Sequence, residues 1–426
     1  SDGKCVSRDD NKVYFTKFTA PGDIIDLKVT RDKTSYGEGL VQRYHVKSPM
    51  RVDPVCDYFE LCGGCKWQHI GYDTQLSFKQ KQVTDTLSRL ANIELPTTQA
   101  IVGSDKVYAY RNKMDYTFTD RFWLTREEME SQDDFPDRRG AGFHVPGGFD
   151  KVINIDKCHL QDDLTNKIRN FVRDYALSKD YTFYNMRAHL GLIRNLIIRM
   201  VDTGEVMVIV QFGQNLPDQV EDVMQAINTK FPDLASLLYL VNLKGNETMG
   251  DQNILCYSGK EFIEEEMEGL RFRIGPKSFY QTNSAQAFKL YSVTRKMANI
   301  SSDDIVYDLY TGTGTIALFI ARQAKKVVGV EYVPEAIVDA KINANVNNIT
   351  NTAFYAGDMK DVLNDEFVKE NGEPNVVIVD PPRVGMHTDV IDTLLRMEAP
   401  RIVYVSCNSA TQARDLSLFD VKYKVT

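Results

Sequence analysis

No run of about 18 apolar residues occurs in the chain, so no membrane-spanning helix is expected. Secretory and lipidation signals are missing as well. Positive charge is not in excess: 51 Lys+Arg face 59 Asp+Glu, a formal net charge of −8. That balance argues against nonspecific nucleic-acid binding as the chain's main task, but it leaves local patches open. Neither an internal repeat nor a low-complexity tract interrupts the 426 residues, a length that implies two or three domains. Cysteine is sparse and odd in number, with three of the seven clustered. This excludes the disulfide framework of a small secreted protein and fits a reducing cytoplasm, with metal ligation and one reactive thiol as the expected uses. A monomer with no membrane partner is expected. The abrupt ends at Ser1 and Thr426 read as those of a trimmed sequence.

What is present changes character along the chain. Residues 12–30, KVYFTKFTAPGDIIDLKVT, alternate in short apolar bursts around Pro21-Gly22, and residues 1–52 read as a small β-barrel. Between Lys33 and Arg51 four fixed cations (Lys33, Arg43, Lys47, Arg51) meet one acid, Glu38, which suits either a phosphate-facing patch or a solvated loop. Tyr72, Leu76, Val83, Leu87 and Leu90 recur at helical spacing. From about 107 to 260 the pattern is strand-rich; 192–200 and 205–212 read as an antiparallel pair turned at Asp202-Thr203-Gly204. The acidic stretch 127–137 reads as an exposed loop. After about 268, apolar strands at 304–310, 326–331, 352–357, 375–380 and 401–406 alternate with helices, one opening on Pro334. Such alternation predicts a parallel, doubly wound α/β sheet.

The first of these strands runs into Gly312-Thr313-Gly314 and then a helix. Glycines there let the backbone turn tightly and approach a ligand. Glu331 ends the next strand, 19 residues after Gly312, where an acid can accept from both ribose hydroxyls; Asp358 ends the third, near where adenine is read. Gly312-x-Gly314-x-x-Ala317 also satisfies a dinucleotide fingerprint, so a nicotinamide enzyme competes at this point. The sequence after the fourth strand is Asp380-Pro381-Pro382-Arg383. A dehydrogenase has no evident use for an acid, two stiffening prolines and a charged fork. A site that grips a flat polar base beside a cofactor does. Cys407, in VSCNSAT just past the fifth strand, is either a packed thiol or a nucleophile. A nucleophile needs thiolate character, for which Arg383, Ser406 and Asn408 are candidate supports. Cys56, Cys62 and Cys65, spaced C-x5-C-x2-C around Gly63-Gly64, need one more ligand; both structural zinc and an iron–sulfur cluster remain open.

DPPR (380–383) followed by VSCN (405–408) resembles the S-adenosylmethionine-dependent RNA uracil-C5 methyltransferases. SFYQTNSAQAFKLY (278–291) is similar to the segment before that family's catalytic core. CDYFELCGGCKWQH (56–69) resembles the iron–sulfur motif of the branch acting on large ribosomal RNA, and APGDIIDLKV (20–29) its TRAM barrel. The resemblance covers nearly the whole chain, in order. It implies a class I Rossmann-like methyltransferase domain at 268–426, an OB-like TRAM barrel at 1–52 and a central α+β iron–sulfur and RNA-binding domain at 53–267. It implies a cofactor pocket of Gln281, Tyr310, Thr315, Glu331, Asp358 and Asp380. Cys407 becomes the nucleophile that adds to C6 of a uridine flipped out of 23S rRNA. Cys158 becomes the fourth ligand of a [4Fe–4S] cluster, with 92 residues intervening after Cys65. A tRNA uracil-C5 methyltransferase and a noncatalytic RNA-binding assembly factor are the alternatives. An amino-group methyltransferase is a third, although Arg383 stands where such enzymes carry an aromatic residue. The family's general base, a glutamate in a C-terminal segment, has no counterpart before Thr426. A chain ending there is expected to form the RNA adduct and resolve it slowly.

Overall fold

Strands form where the apolar bursts place them. In a computed structural model describing residues 3–9, 12–131, 135–246 and 248–426, the N-terminal part contains β1 (Lys4–Asp9), β2 (Lys12–Lys17), β3 (Ile24–Asp32) and β4 (Tyr36–Val46). They pair in the order β1-β2-β4-β3, with β2 and β4 parallel. Three register irregularities along β3–β4 bend the ribbon, and β1 and β3 remain its edges. The basic run is mostly strand β4 rather than loop, and Arg51 is not free for phosphate. Its guanidinium donates to both Asp23 oxygens at 2.9 and 2.7 Å and to the Phe18 carbonyl at 2.9 Å. Burial opposes the Asp23 charge, but Arg51 and the backbone N–H groups of Ala20 and Ser48 outweigh it and hold the carboxyl at about 2.

Helix α1 (Tyr72–Leu90) follows the expected stripe, but no residue of it is fully buried, and Val83 and Leu90 stay exposed. The central part contains β5 (Lys113–Thr119), α2 (Arg126–Glu130), β6 (Gly140–His144), β7 (Val152–Asn154), α3 (Asp163–Ser178), β8 (Ile193–Met200), β9 (Val206–Phe212), α4 (Pro217–Lys230), β10 (Ser236–Val241) and β11 (Leu255–Gly259). Its seven strands run in the order β11-β10-β9-β8-β5-β6-β7. The expected hairpin is β8–β9, antiparallel. The acidic stretch is in part helical. Thr125 accepts from Glu128 N at 3.1 Å while Glu128 accepts from Thr125 N at 2.6 Å, a capping box that nucleates α2; residues 132–134 of that stretch lie outside the described residues.

Both faces of the central sheet are covered, and strand alternation decides which residue goes where. Leu196, Ile198, Val208 and Val210 face α3 and α4; Ile197, Met207 and Ile209 face a second core. That second core is shared with the C-terminal part through the hairpin β12 (Ile263–Met267) and β13 (Leu270–Ile274). The hairpin turns at Glu268-Gly269 and therefore straddles the expected boundary at 267/268.

The C-terminal part is α5 (Ser284–Ala298), β14 (Ile305–Leu309), α6 (Thr315–Ala321), β15 (Lys326–Glu331), α7 (Pro334–Val346), β16 (Thr352–Ala356), α8 (Met359–Val362), α9 (Asp365–Asn371), β17 (Val376–Val379), α10 (Thr388–Met397), β18 (Arg401–Tyr404) and α11 (Ser409–Phe419). All five strands are parallel, in the order β16-β15-β14-β17-β18. Val306 and Ile378 enter the core shared with the central sheet. Tyr307, Leu309, Val377 and Val379 enter a third core with Ile391, Leu394 and Phe419. Each such apolar side chain, fully buried, contributes about 1.5–3 kcal/mol. The chain crosses from β14 to opposite sides of the sheet, so a crevice opens at the carboxyl ends beside β14 and β17. Among the described residues no helix is long and apolar enough to cross a membrane.

Candidate active site and cysteine cavity

Backbone pairing sets the site. Leu309 is level with Val330 on one side and with Val379 on the other, and Val379 with Tyr404. Tyr310, Glu331, Asp380 and Val405 are therefore level along the carboxyl edge. Val405 N donates to Val379 O at 2.8 Å, and Asp380 N to Leu309 O at 3.3 Å. Asp358 lies two residues past β16 and caps α8 through Lys360 N. Cys407 lies two residues past Val405 and is exposed. It is not a packed core thiol.

The glycine turn is open. Gly312 and Gly314 have φ of +57° and +77°, and a Cβ on Gly312 would meet nothing within 4 Å, so the space above it is free for a ligand. On Gly314 a Cβ would come within 3.0 Å of the Ala340 Cβ, so this glycine serves helix packing instead. Glu331 accepts from Gly312 N at 3.1 Å and from Val333 N at 3.0 Å, which ties the turn to the second strand. Tyr310 holds φ +64°, unusual for a bulky residue, at the crevice mouth. Thr315 opens α6 with its hydroxyl 3.3 Å from that of Tyr291. Gln281 arrives from a different segment. Its carbonyl accepts from Asn112 Nδ2 at 2.8 Å, and Thr313 Oγ1 donates to the nearby Phe279 carbonyl at 3.5 Å, so the segment 279–281 passes beside the turn.

Two acids carry raised pKa values. Burial pushes Asp380 up to about 6. Asp308 is fully buried and stands at about 7: burial is the main cause, the Thr311 hydroxyl at 2.6 Å opposes it, and the Asp380 charge adds to it. Sequence reasoning missed Asp308, and it missed Asp415. Asp415 accepts from Tyr404 Oη at 2.6 Å, Met386 N at 2.9 Å and Arg414 Nη2 at 2.6 Å. Arg414 in turn donates to the carbonyls of Val384 and Met386, and Asn408 Nδ2 to that of Arg383. Helix α11 thus holds the loop after Pro382 against the loop carrying Cys407. No local pattern in TQARDLSLF marks Asp415 for this task, because its partners come from three separate segments.

Cys56, Cys62, Cys65 and Cys158 line one cavity of about 280 Å³, with Arg111 and His159 beside them. Gly63 serves a close approach to strand β6: its N donates to His144 O at 2.9 Å, and a Cβ would come within 2.7 Å of that oxygen. Burial raises all four thiols, Cys62 to about 12. Among the described residues no three His, Cys, Asp or Glu side chains converge on a point as they would around a single metal ion. Cys5 donates to the Thr19 carbonyl, and Cys256 is exposed.

The family described as tRNA (Uracil-5-)-methyltransferase matches residues 186–426. An "Uncharacterized RNA methyltransferase" of Bacteroides thetaiotaomicron is 51% identical over 428 residues, spanning 100% of this chain and 94% of the relative. One of Porphyromonas gingivalis is 50% identical over 431 residues, spanning 100% and 93%. Among solved structures, the Pyrococcus abyssi tRNA (uracil-54, C5)-methyltransferase in complex with S-adenosyl-L-homocysteine superposes with a TM-score of 0.72 at 28% identity, covering 95% of this chain and 88% of that one. If Glu331 accepts from the ribose hydroxyls as the sequence implies, replacing it with Ala should weaken S-adenosylhomocysteine binding about ten-fold or more, since the tie to Gly312 is lost as well. Titration calorimetry reads this directly; unchanged affinity would remove Glu331 from the pocket.

Proposed function

The chain belongs to the tRNA (uracil-5-)-methyltransferase family, the RNA uracil-C5 methyltransferases, and from that premise we propose that it methylates C5 of a uridine in large-subunit rRNA, with S-adenosylmethionine as methyl donor and Cys407 as nucleophile. The observation that carries the reading is the meeting, at one sheet edge, of an open glycine turn, the half-buried Asp380 and the exposed Cys407. Gln281, Tyr310, Thr315, Glu331 and Asp358 line the cofactor side of that edge.

Uracil C5 is a weak nucleophile toward a sulfonium methyl. Addition of the Cys407 thiolate to C6 sends the C5–C6 electron pair toward C5 and O4, making an enolate. C5 then takes the methyl group and S-adenosylhomocysteine leaves. A base removes the C5 proton, its electrons re-form the double bond, and the thiolate is expelled. Covalent catalysis divides one hard step into easier ones. Asp380, ionised, is an acceptor suited to the imide N–H of the base. The uridine must leave its stack to be reached, at a cost of roughly a few kcal/mol, which contacts elsewhere on the RNA offset.

The same reading divides the chain into an RNA-binding TRAM barrel at 1–52, a central cluster-bearing and RNA-binding part, and a methyltransferase part joined to it through the hairpin β12–β13, whose strands lie on both sides of 267/268. Cys56, Cys62, Cys65 and Cys158 would hold a [4Fe–4S] cluster. What supports this reading is that all four thiols line one cavity, a donor set that an iron–sulfur cluster takes and that zinc could take as well. Such a cluster would join the loop 56–65 to the segment before α3; methyl transfer requires no electron from it. Large-subunit rRNA is favoured by the cluster and barrel motifs. The tRNA named for the Pyrococcus abyssi neighbour is the second reading.

Cys407→Ala should lower 5-methyluridine formation by roughly a thousand-fold or more and abolish a denaturant-stable RNA adduct. Nucleoside analysis of rRNA and tRNA from a deletion strain, with and without the variant gene, measures this, and undiminished product would refute the mechanism. The rate should fall as the pH drops through about 6, because Asp380 is a carboxylate above that value and a neutral acid below it. Asp380→Asn should remove this limb along with most activity. Anaerobically purified protein should carry about four irons per chain, largely lost in Cys158→Ser; stoichiometric zinc instead would overturn the cluster assignment.

A further inference from the structure

A second polar cavity lies away from both sites described above. It measures about 590 Å³ and is lined by Arg121, Arg138, Lys151, Arg187 and Trp123, among others. A neighbouring cavity of about 660 Å³ shares Met186 with it and adds the ring of Phe149, which is 69% exposed. Four cations gather here in a chain with a net charge of −8. Two carboxylates line the same wall, and each has a partner: Asp150 accepts from Arg187, and Asp120 accepts from Asn185 Nδ2 at 2.8 Å. Arg121 has no carboxylate partner among the described residues, and Arg138 Nε is buried without a hydrogen bond. Burial pulls the Arg138 pKa down and the Arg121 charge pulls it further, against a smaller opposing effect of Glu128, so the two cations sit close enough to repel. An anion between them would relieve the repulsion.

The aromatic groups complete the chemistry. Lys151 Nζ lies 3.9 Å from the centre of the Trp123 ring, yet the indole keeps 38% of its surface exposed. Arg187 lies 5.7 Å from the centre of the Phe149 ring. Exposed rings flanked by cations are the furniture of single-stranded nucleic-acid grooves: phosphates meet the cations and bases stack on the rings. Strand β5 sets the distance. Just before its first residue Asn112 binds the Gln281 carbonyl, Met114 and Asp115 line the cysteine cavity, and Thr119 at its other end lines this one. A strand of 7 residues separates the two ends by roughly 20 Å.

We propose that this cavity is a single-stranded RNA subsite, in which a nucleotide outside the reacting uridine stacks on Trp123 and rests its phosphate on Arg121 and Arg138. The subsite rests on the RNA methyltransferase reading and extends it, by naming where flanking RNA is held. It has no part in the chemistry; it supplies binding free energy and register.

The test uses the full chain and a fluorescein-labelled single-stranded oligouridylate, followed by anisotropy across a salt series. Trp123→Ala should weaken binding about ten-fold or more. Arg121→Gln should make the log affinity against log salt slope shallower by about 0.7. S-adenosylhomocysteine binding should be unchanged in both, which also reports a folded catalytic part. Photocrosslinking of a 4-thiouridine version should map to peptides containing Trp123 or Arg187. If Trp123→Ala fails to fold, the Arg121→Gln slope decides. Unaltered affinity and slope, or crosslinks found only elsewhere, would overturn the subsite and leave the cavity to a protein partner or to solvent. Loss of binding in the variants of a protein that makes no 5-methyluridine would sink the proposed activity and uphold the subsite. Product formation with binding unchanged would do the reverse.

Discussion

The hydrogen-bond register of β17 with β14 on one side and β18 on the other is the constraint on which the rest depends. Those strands come from segments about 70 and 95 residues apart in the chain. Parallel pairing levels their carboxyl ends, and only then do Tyr310, Asp380 and the loop carrying Cys407 share one crevice. The register is itself imposed by burial. Each of these strands is covered on both faces, and a slip of one residue would exchange Val376 and Ile378 for Val377 and Val379 between two different cores.

The same logic joins the central sheet to the methyltransferase sheet. One core runs from Ile197 and Met207 through the hairpin β12–β13 to Val306 and Ile316. The two sheets therefore share buried area rather than meeting across a wet hinge, and this positions Gln281, held by Asn112 from the central part, beside the glycine turn. Helix α1 touches α11, so the segment following the cysteine loop reaches the helix that braces the Cys407 loop. Arg51, which as part of a basic run had suggested a phosphate contact, is instead a tie within the N-terminal sheet.

Much of the C-terminal part was legible in the sequence. The five parallel strands, the Pro334 helix start and the glycine turn carry strong local signals, because strands buried on both faces read as continuous apolar runs and caps and turns demand particular residues. The placement of Glu331 and Asp380 at strand ends was legible for the same reason. The N-terminal strands were also visible, but their pairing was not: β2 and β4 lie parallel across an intervening strand, which no pattern of alternation specifies. The capping box at Thr125 and Glu128 was overlooked within a run read only for its charge.

By itself the sequence determined element type, the strand ends at which Glu331 and Asp380 lie, and the glycine turn at Gly312-Thr313-Gly314, all matters of period, backbone freedom and side-chain chemistry within a few residues. Tertiary structure alone decided that Cys158 joins Cys56, Cys62 and Cys65 around one cavity, that burial raises Asp308 to about 7 and Asp380 to about 6, that Asp415 clips three segments together, and that Arg121, Arg138 and Trp123 border a common hollow. The reason is that desolvation and convergence are properties of what surrounds a side chain, and the surroundings come from residues far along the chain.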